Sequence, residues 1–310
     1  MSIKVRRARS DDLPAIKALN RRAHRVLPQL WWWEEHLTDV SAQYPGVGAG
    51  LAPAYKGDRK GSPLPIERIL TDDLFILIEQ EGSVVGALFA WPDESPVAWV
   101  RLAALDDALD VDEWLDLALP PVLDGLRRHG ARKLAWMDYG GWAGPHLKAR
   151  GFAPLVEVIT LVKLDRALPR ANATPAHVRP ASDADIPAIV AVDRAAFTAH
   201  WWHSQATMCR RAATSSHFAV AQMAGEVVGY AAGKLCLPAA HLNRIAVQPA
   251  HQGHGIGTSL LCAAIRDLWQ QGAERITLNT QSDNRRSRRL YSRFGFEPTG
   301  DCVTVWKLQL

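Results

Sequence analysis

The chain has 310 residues, 48% hydrophobic and 22% charged, with a formal net charge of +4, a length that suits two domains of about 150 residues rather than one. The mild positive balance fits an anionic ligand but gives no footing to a nucleic-acid binder. No apolar run in the sequence approaches the roughly 18 residues of a membrane span, and no apolar segment follows the basic start MSIKVRRARSDD, so neither a span nor a secretory leader is expected.

Read from the N-terminus, the chain repeats itself. The run from Val5 to Ile16 aligns with VRPASDADIPAI, beginning at Val178. FILIEQEGSVVG (75–86) matches FAVAQMAGEVVG (218–229), GARKLAWMD (130–138) matches GAERITLNT (272–280), and HLKARGF (146–152) matches LYSRFGF (290–296). Matches in the same order with nearly constant offset indicate two tandem copies of one domain. The Pro-containing stretch LPRANATPAH (168–177) has no apolar period and reads as the linker. This divides the chain into 1–167, 168–177 and 178–310.

The second copy gives the clearer elements. A strand at Val178 leads into a helix capped by Ser182 or Asp183, with Pro187 in its first turns. Two apolar runs around Ala224-Gly225 predict a hairpin. A strand over 241–247 precedes a glycine loop, and GTSLLCAAIRDLWQQG is an amphipathic helix. RITLNT is a strand, NRRSRRLYSRF a short basic helix, and a pair of closing strands is expected from Phe296 onward. Strands interleaved with helices in this way predict a mixed α/β (α+β) domain, with part of its sheet antiparallel and part parallel.

The glycine loop, HQGHGIGTSLL (251–261), carries the chemistry. Its glycines fall at 253, 255 and 257, which fails the G-x-G-x-x-G spacing of a dinucleotide fold, and no Gly-Lys-Ser/Thr ends it as a Walker loop requires. A strand, a sharp glycine turn and a helix start remain. There the backbone N–H groups of His254 to Thr258 converge on an anion, aided by the helix dipole.

Gln252-x-x-Gly255-x-Gly257, followed by Asn284-x-x-Ser287-x-x-Leu290-Tyr291 and then Gly295-Phe296, resembles the paired motifs of the GNAT superfamily of acetyl-CoA-dependent N-acetyltransferases. The resemblance covers 177–310 well and 3–165 weakly, through the repeat. It implies two tandem copies of that fold and acetyl-CoA as co-substrate. It implies a splayed fourth and fifth strand, with the pantetheine arm against main chain at Ile245, Ala246 and Val247. The pyrophosphate would lie on Gln252, Gly253, His254, Gly255, Ile256, Gly257 and Thr258, with Asn284, Ser287 and Tyr291 beside the thioester.

The residues fit that chemistry independently. Thioester-to-amine transfer needs a neutral amine, an oxyanion partner and a proton for the departing thiolate. The Val247 N–H can serve the carbonyl oxygen. Tyr291, with an ordinary pKa of about 10 against about 8.5 for a thiol, is the general acid. The base is less evident. Where the family's protein N-terminal acetyltransferases often have Glu on the fifth strand, this chain has Asn279. His241 is the provisional choice and Asp283 an alternative, and a weak base favours an α-amine over lysine.

The first copy lacks these features. Its loop reads DDALDVDEW (106–114), with Glu113 near the Gly255 position, Leu147 at the Tyr291 position and Gly140 near that of Asn284. Carboxylates at a helix start repel phosphate, so residues 1–167 read as a degenerate, non-catalytic copy.

Tryptophan is over-used, at 12 residues. LWWWEEH (30–36) and HWWHS (200–204) occupy matching places, and Trp201 and Trp202 are candidate acceptor contacts, with plain packing the competing reading. The Gly/Pro-rich stretch 41–65 has the length of a lid or binding loop. His200 and His203 lack a third ligand, so no metal is expected. The arginines at 285–289 and Arg293 suit CoA phosphates, an acidic acceptor or simply solvent. Cys209, Cys236, Cys262 and Cys302 show no CxxC spacing and read as reduced thiols of a cytoplasmic protein.

The expected activity is acetyl transfer to a primary amine of a small molecule. The alternatives are a protein N-terminal α-amine acetyltransferase and a non-catalytic acyl-CoA-binding module. No nucleic-acid or membrane partner is expected, and oligomerisation is compatible with each reading.

Overall fold

In a computed structural model of the chain, residues 3–28, 73–93, 95–169 and 174–310 are described. The predicted loop 41–65 and the LWWWEEH segment lie outside them. The residues group into two compact units. One takes in the described residues up to Val156 together with Val303–Leu310, and the other is Glu157–Cys302.

The first unit contains β1 (Ile3–Arg7), α1 (Leu13–Arg22), β2 (Arg25–Pro28), β3 (Phe75–Gln80), β4 (Ser83–Trp91), β5 (Val97–Leu105), α2 (Val111–Arg128), β6 (Lys133–Asp138) and α3 (Gly144–Ala149). It also includes the start of β7 (Ala153–Lys163), whose remainder belongs to the second unit. The second unit continues with β8 (His177–Pro180), α4 (Ile186–Ala196), α5 (Gln205–Thr214), β9 (His217–Met223), β10 (Glu226–Cys236), β11 (Ala239–Val247), α6 (Ile256–Gln270), β12 (Arg275–Gln281) and α7 (Arg285–Arg293). A final strand, β13 (Glu297–Gln309), begins there and ends in the first unit.

Each unit has the same strand plan. Antiparallel pairs run β1-β3-β4-β5 in one and β8-β9-β10-β11 in the other, and each series ends in a parallel pair, β5 with β6 and β11 with β12. The mixed α/β class is therefore present in both. The expected pair of closing strands from Phe296 does not form. A single long strand replaces it: β13 joins β6 over Thr304–Gln309, while β12 takes β7 as its antiparallel neighbour over Val158–Lys163. Local pattern predicts where a strand lies, not which edge receives it, so this exchange is invisible in the apolar periodicity.

Helix α6 covers one face of the second unit because its apolar residues recur at helical spacing. Ile256, Leu260, Leu261, Ala264, Ile265 and Leu268 are all buried, and each large one contributes about 2 kcal/mol relative to exposure. Gly229 on β10 permits this closeness, since a Cβ there would lie 2.9 Å from the Ala246 carbonyl and 3.1 Å from Leu260. The opposite face packs Ile186, Ile189 and Val192 of α4 and Met208 of α5 against Val220, Tyr230 and Ala246.

In the first unit, Trp114, Trp136 and Trp142 pack edge-on or tilted, with ring centroids 6.0–6.4 Å apart. Trp114 and Trp136 are fully buried, so part of the unusual tryptophan content is core.

Candidate active site

The sheet of the second unit opens where the loop chemistry is expected. β11 pairs with β12 only from Ala239↔Arg275 to Leu242↔Leu278, yet stays paired with β10 as far as Val247↔Gly229. A bulge at Asn243, which the β10 register skips, bends β11 at the point of divergence. Ile245, Ala246 and Val247 therefore lie on a stretch whose β12 side has no strand among the described residues. Gln248 N–H bonds back to Val228 on β10. Backbone groups alternate sides along a strand, so the Val247 N–H faces the open side. Its carbonyl accepts from Gln252 Nε2 at 2.9 Å.

Helix α6 starts at the mouth of this opening with no side-chain cap. Its N-cap is Gly255, at φ 80°, a left-handed conformation that costs other residues about 1–2 kcal/mol. Gly253 is also left-handed, at φ 89°. Among the described residues, no side chain satisfies the first N–H groups of this helix, those of Ile256, Gly257 and Thr258. Orphan donors and a helix dipole together favour an anion. Arg286 of α7 donates to Gln252 Oε1 and brings a cation to the loop. His254 is exposed.

Asn284 caps α7, its Oδ1 accepting from Ser287 N–H at 3.1 Å. One helical turn further, burial pushes the Tyr291 phenol up to about 12, and the neighbouring Ser287 hydroxyl offsets part of that rise. The ring packs edge-on against Phe296 at 5.9 Å. So Asn284, Ser287 and Tyr291 share one face of α7, and burial keeps the Tyr291 phenol protonated.

On the other face of β11, the structure assembles a group that sequence reading missed. Asp193 of α4 is fully buried and receives Arg244 Nε at 2.7 Å, Arg244 Nη2 at 3.0 Å and the Tyr230 hydroxyl. It also accepts from His203 N–H at 3.1 Å. Arg244 donates in turn to the Trp201 carbonyl and lies 3.9 Å over the Phe197 ring, while Trp202 Nε1 bonds the Phe197 carbonyl at 2.8 Å. The HWWHS segment is thereby tied to β11. Trp201 and Trp202 are half-buried, and the Trp202 indole N–H is spent on the backbone. No sequence motif announces the cluster, because its members come from four separate elements.

Removing one partner of a buried ion pair usually costs about 3–5 kcal/mol. Asp193→Ala should therefore lower the melting temperature by roughly 10 °C, since about 1 kcal/mol moves a unit of this size by 2–4 °C. A loss under about 2 °C in differential scanning calorimetry would show that Asp193 does not anchor the segment.

His241 donates or accepts at Nδ1 with Thr277 Oγ1, 2.8 Å away. The Thr277 hydroxyl hydrogen points to the Ala240 carbonyl at 3.3 Å, so Nδ1 is the donor and Nε2 keeps its lone pair. Burial and the charge of Arg211 push the imidazole down to about 4. It is neutral at physiological pH and free to accept a proton, but weakly. Asp283 is exposed on the turn before α7, and Asn279 bonds Thr160 Oγ1 at 3.1 Å.

The corresponding places in the first unit are filled. β5 parts from β6 after Trp99↔Ala135, and β2 pairs with the stretch beyond, Arg25↔Leu105 to Pro28↔Leu102. The N-cap of α2 is Asp110, whose carboxylate accepts from Asp112 N–H at 2.8 Å and Glu113 N–H at 3.3 Å. The structural counterpart of Gly255 is therefore Asp110, three residues before the Glu113 of the sequence alignment. Leu147 is fully buried, and Asp138 caps α3 through Ala143 and Gly144 N–H at 3.0 and 2.7 Å.

The model of the Acetyltransferase (GNAT) family matches residues 186–296, which span the opened strand, the glycine loop and α7. The second unit is a GNAT acetyltransferase domain. A Bacillus subtilis protein named as a ribosomal-protein-alanine N-acetyltransferase is 25% identical over 127 residues, 41% of this chain and 84% of its own length. N-alpha-acetyltransferase 40 of Saccharomyces cerevisiae is 36% identical over 86 residues, 26% of this chain and 30% of that protein. Among solved structures, a GCN5-related N-acetyltransferase from Sphaerobacter thermophilus aligns over 99% of this chain and 95% of its own, with TM-score 0.62 and 14% identity. A tandem GNAT protein from the clavulanic acid biosynthesis pathway aligns over 99% and 98%, with TM-score 0.58 and 16% identity. At such identities the likeness is one of fold, and in both it runs the length of the chain.

GNAT domains use acetyl-CoA, and the uncapped start of α6, the left-handed glycines and the open edge of β11 fit it. Among the described residues no three His, Cys, Asp or Glu side chains gather as a metal site, and no helix is long and apolar enough to cross a membrane.

Proposed function

We propose that this acyltransferase moves an acetyl group directly from acetyl-CoA to the primary amine of a small molecule. Residues 178–310 would catalyse, 168–177 would link, and 1–167 would form a copy without catalysis. The supporting observation is the contrast between Gly255 and Asp110: one helix start has free N–H groups, and in the other a carboxylate of the chain already holds them. Acetyl-CoA supplies an activated thioester carbonyl. Gln252 to Thr258 would hold its pyrophosphate, while Ile245 to Val247 would offer main-chain partners to its arm. The Val247 N–H would donate to the carbonyl oxygen as it gains charge. His241 Nε2 would take a proton from the amine, directly or through water, and Tyr291 would donate toward the leaving sulfur.

The filled first unit leads to a stoichiometric prediction. Titration calorimetry should give one acetyl-CoA per chain, and a second site of comparable affinity would refute the assignment of 1–167. An assay of CoA release over a panel of amines should then detect turnover. Tight binding without turnover on any amine or peptide would favour the non-catalytic reading.

A second reading is acetylation of a protein's N-terminal α-amine. It draws on the relatives named for alanine and N-alpha acetylation. Turnover confined to peptides with free N-termini would establish it in place of the first.

A further inference from the structure

The face of β11 that carries His241 and Arg244 holds an excess of positive charge. Arg211 of α5 interacts electrostatically with Arg244, Tyr230, Asp193 and Arg210, and its charge is felt at His241. The carboxylate of this cluster, Asp193, is already engaged twice by Arg244 and by Tyr230. Among the described residues, the Arg211 guanidinium has no hydrogen bond or ion pair, and its Nε is enclosed without a partner. The residue as a whole is half-buried, so part of it still reaches the surface.

A guanidinium in this state is unusual. Enclosed polar atoms in folded proteins are nearly always paired, and here the Nε is enclosed without a partner. Its fork of donors matches a carboxylate in two parallel hydrogen bonds. Arg211 remains charged at neutral pH, although burial and Arg244 lower it to about 10. A single unpaired cation calls for a single negative charge.

Resting on the acetyl-transfer reading above, we propose that Arg211 is the acceptor-specificity residue and that the acceptor is a small amine which also bears a carboxylate. The carboxylate would seat on Arg211, leaving the amine to face His241 and the open edge of β11. The same contact has a second effect. Neutralising Arg211 removes one of the two causes that hold His241 below its ordinary range, the other being burial, so the base strengthens when the right acceptor binds.

The test uses the full-length protein, acetyl-CoA and matched pairs of amines: α- and ω-amino acids, each beside its carboxamide. A charge-assisted pair of this kind discriminates by roughly 10- to 100-fold, so wild-type kcat/KM should favour the acids by at least that lower figure. In Arg211→Gln the ratio should fall to near one, chiefly through KM for the acids. Arg211→Lys should keep part of it. Acetyl-CoA affinity, measured by calorimetry in each variant, reports whether the fold and cofactor site survive. Three results would overturn the proposal while acetyl-CoA still binds: amides accepted as well as acids, no acid accepted, or a preference that persists in a folded Arg211→Gln protein. If acetyl-CoA itself fails to bind the wild type, the reading beneath it falls instead.

Discussion

Gly255→Asp should weaken acetyl-CoA binding by at least about 100-fold while leaving the protein folded. The substitution gives the second unit the residue that Asp110 supplies in the first, where the carboxylate accepts from the N–H groups of Asp112 and Glu113. Asp110 caps from an extended backbone (φ −69°, ψ 147°), so an aspartate at 255 takes the Gly257 and Thr258 N–H groups from the pyrophosphate only if its backbone leaves the left-handed region. It would also put a negative charge beside the phosphates. Near a protein surface, two unit charges 4 Å apart repel by about 4 kcal/mol, and loss of the helix-start donors adds about 1 kcal/mol more. Salt and side-chain movement reduce the sum, so a loss of at least about 100-fold in affinity is the working figure, roughly 3 kcal/mol. The fold should tolerate the change. Gly255 sits at φ 80° with Thr174 as its nearest neighbour, 3.8 Å from a built Cβ, and aspartate is among the residues that visit this region most readily. Calorimetry with acetyl-CoA and a thermal melt suffice to check it. An affinity within tenfold of wild type, in a folded protein, would show that the start of α6 is not where the anion binds.

The contrast between Gly255 and Asp110 also shows how far the sequence could be read. Glycine spacing and a helix start at 256 are local properties, and both are visible in HQGHGIGTSLL. The acidic character of 106–114 is equally local, and the expectation that it repels phosphate rests on it. The structure adds that Asp110 is a cap, so the N–H donors are already occupied, and the aligned residue is Asp110 rather than Glu113. β2 is a different kind of omission. Its four residues, Arg25–Pro28, are too short for any period, and their place beside Leu102–Leu105 depends on which sheet edge is left free. The pairings of β13 with β6 and of β7 with β12 were illegible for the same reason. Asp193, Tyr230, Arg211 and Arg244 come from four elements spread over about fifty residues, and only folding brings them together. Helical and strand periods put Asp193 and Tyr230 in apolar runs without saying that a charge would meet them there.

Tyr291→Phe should leave acetyl-CoA binding within about threefold of wild type and lower kcat by about 100-fold, the low end of what a positioned general acid contributes. The low end is chosen because of where the phenol sits. A phenol near 10 and a thiol near 8.5 differ little, but burial raises Tyr291 to about 12. Full proton transfer to a thiolate is then uphill by about 3.5 units, nearly 5 kcal/mol. What the hydroxyl supplies is a hydrogen bond that strengthens as charge builds on sulfur, with transfer completed as the product leaves or through solvent. The sign of the pH dependence follows. Tyr291 is active in its protonated form, and raising its pKa extends that form to higher pH, so no alkaline fall in kcat should appear through the ordinary tyrosine range near pH 10. Phenylalanine keeps the edge-on contact with Phe296 at 5.9 Å, so a loss of turnover would belong to the hydroxyl and not to packing. Ser287, whose hydroxyl lies close enough to lower the phenol slightly, can turn to solvent in the variant because it is only half-buried. Steady-state kcat with saturating acetyl-CoA and a reactive amine is the measurement. Turnover unchanged in the phenylalanine protein would remove Tyr291 from the proton path and leave the leaving group to water.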